Sequence, residues 1–179
     1  MKMKIIAGDL GGRLFDAPDS KATHPMSERV RGALFNIIGN IQNKNILDPF
    51  AGSGALGLEA LSRGASFCTF LDIDRKAHLV VKNNVSILML EERSKVIRAG
   101  ASSWSDNNQD QKFDVILCDP PYNKIQLSTI SKLSGHLHPK GLMVLSHPGR
   151  GNKVPVVNGV VVVDNRNYGD AALSFYQPK

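Results

Sequence analysis

The most regular pattern near the start of the chain is apolar. Val30, Ala33, Leu34, Ile37 and Ile38 follow the i, i+3, i+4, i+7, i+8 spacing of one helix face. Ser27 stands where an N-cap belongs, Glu28 falls in the first turn and Gly39 ends the run. Arg29 and Arg31 are off the stripe and are expected to face outward. Ahead of this helix, Lys4-Ile5-Ile6-Ala7 and Gly12-Arg13-Leu14-Phe15 flank the turn-rich Gly8-Asp9-Leu10-Gly11 and predict a β-hairpin. Residues 18–25 read as a loop.

From Asn45 onward, short continuous apolar runs alternate with helical segments. Strands are predicted at Ile46-Leu47, Phe67–Leu71, Lys95–Ala99, Phe113–Cys118, Leu142–Leu145, Val160–Val163 and Ala171–Tyr176. Helices are predicted over 55–62, with Gly64 just past the end, over 75–90 and over 125–136. Continuous apolar strands alternating with helices indicate a mostly parallel sheet covered on both faces. The last two strands have no helix between them and should pair antiparallel at one edge. The fold class is therefore α/β: a doubly wound seven-stranded sheet with an antiparallel edge strand and an N-terminal hairpin. The whole chain, 1–179, reads as a single domain, with 1–25 as extension and 26–179 as core.

Composition changes this picture little. A length of 179 residues suits one domain, and 42% hydrophobic with 21% charged residues excludes disordered and disulfide-scaffold classes. No run approaches the ~20 apolar residues of a membrane span, and the N-terminus has no signal-peptide pattern. Cys68 and Cys118 lie inside apolar runs, as reduced thiols of a cytoplasmic protein would. The formal charge of +6 adds a polyanion to the possible partners. Residues 1–45 hold seven basic side chains against four acidic ones. In that segment Arg13, Arg29 and Arg31 are the expected phosphate contacts.

The strongest local signal is Leu47-Asp48-Pro49-Phe50-Ala51-Gly52-Ser53-Gly54-Ala55-Leu56-Gly57. It places Gly52-x-Gly54-x-x-Gly57 between a strand and a helix, the context a nucleotide-type loop requires. Asp72 follows at the end of the next strand, where a carboxylate can accept two ribose hydroxyls. Asp74 suits the cap of the following helix. An acid at Asp48 would repel a pyrophosphate but suits the cationic sulfonium and ammonium of S-adenosylmethionine. The expected cofactor set is Asp48, Phe50, Ala51, Gly52, Ser53, Gly54, Asp72, Ile73 and Ala101. A nicotinamide-dependent oxidoreductase or noncatalytic dinucleotide binder is the alternative from another class.

The second signal, Asp119-Pro120-Pro121-Tyr122, ends the fourth strand of the run beginning at Ile46. Ligands of doubly wound sheets bind beyond the strand carboxyl ends, so this tetrapeptide should lie beside the glycine loop. Two prolines fix φ and aim the carbonyls. Asp119 and the Pro120 carbonyl can hold an exocyclic amine, and Tyr122 offers a flat face to a base. Two acceptors out of the ring plane favour a pyramidal nitrogen whose lone pair can meet a methyl carbon in line. Such catalysis is mainly positioning and electrostatics.

The tetrapeptide resembles the motif of amino-group nucleic-acid methyltransferases. More closely, the chain resembles the RsmD family of bacterial 16S ribosomal RNA guanine-N2 methyltransferases over nearly its full length. The resemblance rests on Ile5-Ile6-Ala7-Gly8, the Arg29–Ile37 and Leu47–Ala65 segments, Asn84, Asp119-Pro120-Pro121-Tyr122 and Tyr168-Gly169-Asp170. It implies a Rossmann-like class I methyltransferase fold and S-adenosylmethionine at the first site. It implies transfer to a guanine amine of the guanine-966 type, with Asp119 and Tyr122 at the acceptor. The implied partner is 16S ribosomal RNA or a small-subunit assembly particle; the protein itself is expected to be a monomer. A DNA adenine-N6 or cytosine-N4 methyltransferase shares this amine chemistry but usually carries an inserted recognition domain, for which this chain has no room. The sequence departs from the family pattern at His24-Pro25-Met26, where Arg-Pro-Thr is usual. It departs again at Asp72, more often Glu, and at Gly100, commonly Asp.

No metal is expected. His136-x-His138 is followed by Pro139 and Gly141 with no further ligand nearby, and reads as a surface loop. His147 reads as structural. Trp104 is expected to pack in the interior, and Phe50 mainly so.

Overall fold

The computed structural model describes residues 1–19 and 25–179. Lys21, His24 and most of the loop expected at 18–25 lie outside the described residues. Two strands, β1 (Lys2–Lys4) and β2 (Leu14–Asp16), form the N-terminal hairpin, with Met3 opposite Phe15. The first strand is shorter and earlier than the pattern suggested. Ile5 still reaches across to Arg13, but the N–H groups of Ile6 and Ala7 turn away and donate to the Glu59 carboxylate at 2.9 and 3.2 Å. A charged side chain thus outcompetes the neighbouring strand for these donors.

Helix α1 (Glu28–Ile38) starts where Ser27 accepts a hydrogen bond from the Val30 N–H and stops at Gly39. The sheet then opens with β3 (Asn45–Asp48), followed by α2 (Ala55–Ser62), β4 (Phe67–Asp72) and α3 (Arg75–Ile87). Strand β5 (Ser94–Arg98), α4 (Ala101–Asn107), β6 (Phe113–Cys118) and α5 (Leu127–Ser134) complete the wound part. The chain ends in β7 (Leu137–Pro148), β8 (Val160–Tyr168) and β9 (Ala171–Pro178).

The seven strands lie in the order β5-β4-β3-β6-β7-β9-β8. Strands β3 to β7 are parallel, while β9 runs antiparallel to both β7 and β8. The antiparallel pair lies at one edge, with β9 inside and β8 outermost. Side chains alternate across the sheet, as period two requires. Ile46, Val115, Leu117 and Phe175 pack with α1, α2 and α3 on one face. Leu47, Ile116, Leu145 and Tyr176 pack with α4 and α5 on the other. Each such aliphatic or aromatic side chain contributes about 1.5–3 kcal/mol by leaving water. Cys68 and Cys118 are free and buried, on strands separated by β3.

Two elements escape the periodicity. Helix α4 buries only Ala101, Trp104 and Ser105, and its serine-rich sequence carries no recognisable stripe. Strand β7 runs straight through His138-Pro139-Lys140-Gly141, with a register shift against β6 between Phe113 and Val115. His136 is accordingly buried rather than in a surface loop. Its ring bonds Ser105 Oγ at 2.8 Å and the Gln111 carbonyl at 2.7 Å, and its centroid lies 5.0 Å from that of Trp104. Among the described residues, no helix is long and apolar enough to cross a membrane.

Candidate active site

Strands β3, β4, β6 and β7 all deliver residues to the carboxyl edge of the sheet, where chain order reverses between β3 and β6. Strand β3 ends at Asp48, and residues 49–54 turn into α2. Gly54, the N-cap of α2, has φ +84°, a conformation that glycine adopts without strain. Gly57 serves another need. A Cβ there would lie 2.2 Å from the Phe70 ring and 2.7 Å from Cys68 Sγ, so its hydrogen lets α2 press onto β4.

The loop is braced by two carboxylates. Asp72 accepts from the Gly52 N–H at 2.8 Å with one oxygen and from the Asp74 N–H at 2.9 Å with the other. A carboxylate offers about four acceptor positions, so lone pairs remain for ribose hydroxyls. Asp74 caps α3 through the Ala77 N–H, as expected. Asp48 is fully buried. Its Oδ2 accepts from the Gly57 N–H at 3.1 Å, while its Oδ1 has no partner among the described residues. Burial, with Asp119 and Asp72 as further negative neighbours, raises its pKa to about 8 against the lowering effect of Gly57.

Around this loop, Ser53 is buried, bonds the Ala55 N–H and lends its carbonyl to Asn84. Asn84 also exchanges hydrogen bonds with the Asp16 backbone, tying the hairpin to the loop. Ala51 is buried and Phe50 leans on the core. Ile73 is 72% exposed, next to Asp72 and close to Gly100, with Ala101 opening α4 behind it. An unpartnered acid, a carboxylate with spare lone pairs and an uncovered aliphatic side chain together fit a cationic nucleoside cofactor.

Beyond β6, Asp119 is half-buried and Tyr122 is 38% exposed. The Pro121 carbonyl accepts from Lys124 in a short 3-10 turn, whereas no donor among the described residues bonds the Pro120 carbonyl. Burial raises the Asp119 pKa to about 6, and hydrogen bonding from Ser146 opposes the rise. The Tyr122 hydroxyl is 2.7 Å from Ser146 Oγ, and burial moves its pKa up as well. Ser146, on β7, was missed by sequence reasoning. Its only signal is a hydroxyl following the apolar run Leu142–Leu145. His147 beside it points elsewhere, bonding Ser174 Oγ at 2.7 Å.

The basic residues divide. Arg13 and Arg29 are exposed, and Arg29 stacks 5.9 Å from the centroid of Tyr168. Arg31 does not face outward. It is fully buried, 3.5 Å from Glu59 and bonded to the Lys4 carbonyl. It cannot reach a phosphate, because its charge is committed to holding the hairpin against α2. Among the described residues, no three His, Cys, Asp or Glu side chains gather as metal ligands.

The sheet order, the glycine loop and the Asp119–Tyr122 edge define a class I methyltransferase domain. The chain belongs to the family described as "Conserved hypothetical protein 95", the RsmD family, whose model matches residues 3–177. It is 32% identical over 183 residues to "Putative rRNA methyltransferase YlbH" of Bacillus subtilis, covering 99% of this chain and 100% of that protein. It is 36% identical over 124 residues to "Ribosomal RNA small subunit methyltransferase D" of Escherichia coli, covering 69% of this chain and 62% of that protein. The structure of "Putative methyltransferase yhhF from Escherichia coli" superposes with a TM-score of 0.86 at 30% identity, covering 100% of this chain and 99% of that one.

Proposed function

We propose that this protein transfers a methyl group from S-adenosylmethionine to the N2 amine of a guanine in 16S ribosomal RNA, of the guanine-966 type. The observation that carries the reading is the Asp119-Pro120-Pro121-Tyr122 edge beside the glycine loop. It offers two fixed acceptors, the Asp119 carboxylate and the Pro120 carbonyl, and an accessible ring anchored by Ser146. The names of the relatives from Bacillus subtilis and Escherichia coli support ribosomal RNA as the substrate. That substrate fits a cytoplasmic enzyme.

When bound, the cofactor supplies an electrophilic methyl on a sulfonium. Asp48 Oδ1 would face its cationic part, Asp72 would take ribose hydroxyls, and Ile73 with Ala101 would cover the adenine. Phe50, Ala51, Gly52, Ser53 and Gly54 would line the turn. At the acceptor, Asp119 and the Pro120 carbonyl receive the two amine hydrogens and turn the nitrogen lone pair toward the methyl. Tyr122 stacks on the guanine. With a pKa near 6, Asp119 is a carboxylate at neutral pH and can accept a proton as the nitrogen gains its methyl.

Mass-spectrometric mapping of ribosomal RNA from cells with and without the gene tests this. A single N2-methylguanine lost with the gene is the expected result. An unchanged ribosomal RNA, or label entering only duplex DNA, refutes it.

A further inference from the structure

The charge that Arg31 takes inside is replaced at the surface by a residue far away in sequence. Pro148, at the end of β7, stands opposite Ala171 of β9, and Ala171 stands opposite Tyr168 of β8. Leu145 is level with Cys118, the residue before Asp119. The turn at 168–170 and the loop after β7 therefore lie on the same edge as the acceptor site. Three strand spacings of about 4.8 Å separate β6 from β8, roughly 14 Å, or about four stacked nucleotides.

Three side chains converge there. The Arg29 guanidinium lies over the Tyr168 ring at 5.9 Å. Gly149 donates to the Asp170 carbonyl at 2.8 Å, and Arg150 donates to the Gly169 carbonyl at 3.0 Å, so the two turns are stitched together. A Cβ at Gly149 would meet the Gly169 oxygen at 2.1 Å, so only glycine permits this approach. Arg150 itself sits at φ +22°, outside the regions ordinary residues favour, with its side chain 76% exposed. Strain of this kind gathers at functional positions. Its charge is held 3.2 Å from Asp170, which is 91% exposed.

We propose that Arg29, Tyr168 and Arg150 form a grip for the RNA strand flanking the target guanine, in which Arg150 exchanges Asp170 for a phosphate. This rests on the RNA-methylating reading above. Tyr168, half-buried against the core, holds the Arg29 guanidinium over its ring, and the two guanidinium groups serve the RNA backbone sequence-independently. Asp170 is a competing anion that moderates nonspecific binding.

The test is anisotropy titration of the full chain with a labelled single-stranded oligoribonucleotide at several salt concentrations. R29A and R150A should each weaken binding about tenfold and reduce the salt slope by about 0.7. Y168A should weaken binding and Y168F should not. D170N should tighten it, the opposite sign to R150A, although both break the same ion pair. Calorimetry with S-adenosylmethionine should read alike for all five variants. R150A and D170N both weakening binding would make the pair merely structural and overturn the inference, as would an unchanged salt slope in R29A and R150A. Equal affinity and equal responses with duplex DNA would overturn the assignment to RNA. Wild-type protein that methylates no ribosomal RNA would instead refute the parent reading.

Discussion

The Arg31 guanidinium and the Glu59 carboxylate meet 3.5 Å apart with neither side chain reaching solvent. Glu59 also accepts from the Ile6 and Ala7 N–H groups and lies 3.4 Å from Arg63 Nε. One acid thus holds the hairpin, α1 and the end of α2 together. Glu59→Ala leaves a buried cation and two backbone donors unpaired and should cost about 3–5 kcal/mol. Urea unfolding measures this, and a loss below about 1 kcal/mol would dismiss the role. Arg31→Ala should lower stability similarly yet leave the salt dependence of RNA binding as it was.

Asp48, with its pKa near 8, is mostly protonated at pH 7 in the free protein. A cation placed at Oδ1 favours the carboxylate and lowers that pKa, so binding S-adenosylmethionine should release close to one proton at pH 7. Calorimetry in two buffers of different ionisation enthalpy reads the release directly. Asp48→Asn should abolish it, and wild-type binding without release would count against a cation at this position. The same raised pKa has a stability consequence. Between pH 4 and 8 the folded protein binds this proton more tightly than the unfolded chain, so the ligand-free protein should lose stability as pH rises through that window.

Methyl transfer should rise with pH through about 6, as Asp119 becomes a carboxylate able to accept from the amine. Asp119→Ala should abolish transfer while cofactor affinity persists, and retained activity would remove Asp119 from the chemistry. Ser146→Ala removes a bond that favours the charged form and frees the Tyr122 ring. It should move the rising limb to higher pH and lower the plateau by about tenfold. A lower plateau with an unmoved limb would restrict Ser146 to a packing role.

Gly57→Ala should destabilise by about 2 kcal/mol, because the new methyl group overlaps the Phe70 ring. Adding Phe70→Leu should recover part of the loss, since the two positions share one contact. Thermal melting of the single and double variants checks this, and strict additivity would exclude the clash as the cause.

The wound part of the fold was legible because its signals are local. The helix over Ala55–Ser62, the strand Phe113–Cys118 and the Asp74 cap fell where spacing and capping chemistry put them. What failed did so for a nonlocal reason. Ile6 and Ala7 looked like strand until Glu59, more than fifty residues away, took their donors. Helix α4 and the length of β7 depend on packing against α5 and β6 rather than on their own periodicity. The candidate site was partly legible. Asp48, Asp72 and the Asp119–Tyr122 run stand at strand ends, where the alternation itself marks them, but Ser146 announces itself by no motif.

By itself the sequence determined the order of elements other than α4, the glycine loop and the tetrapeptide after Cys118. These depend on backbone preferences and hydrophobic period within about ten residues. The tertiary structure alone decided which charges are spent inside and which remain for a ligand. Arg29 and Arg31 are the same residue type with only Val30 between them, yet two positions apart on a helix they point to different surroundings. One stacks on Tyr168 at the edge of the sheet and the other is sealed against Glu59. The formal +6 survives the Arg31–Glu59 pair, which buries one charge of each sign, but its placement is not the one the sequence order suggests. Pairing with Glu59 takes Arg31 off the surface, and the fold brings Arg150 to the turn at 168–170, where Arg29 stacks on Tyr168, on the same edge as the acceptor site.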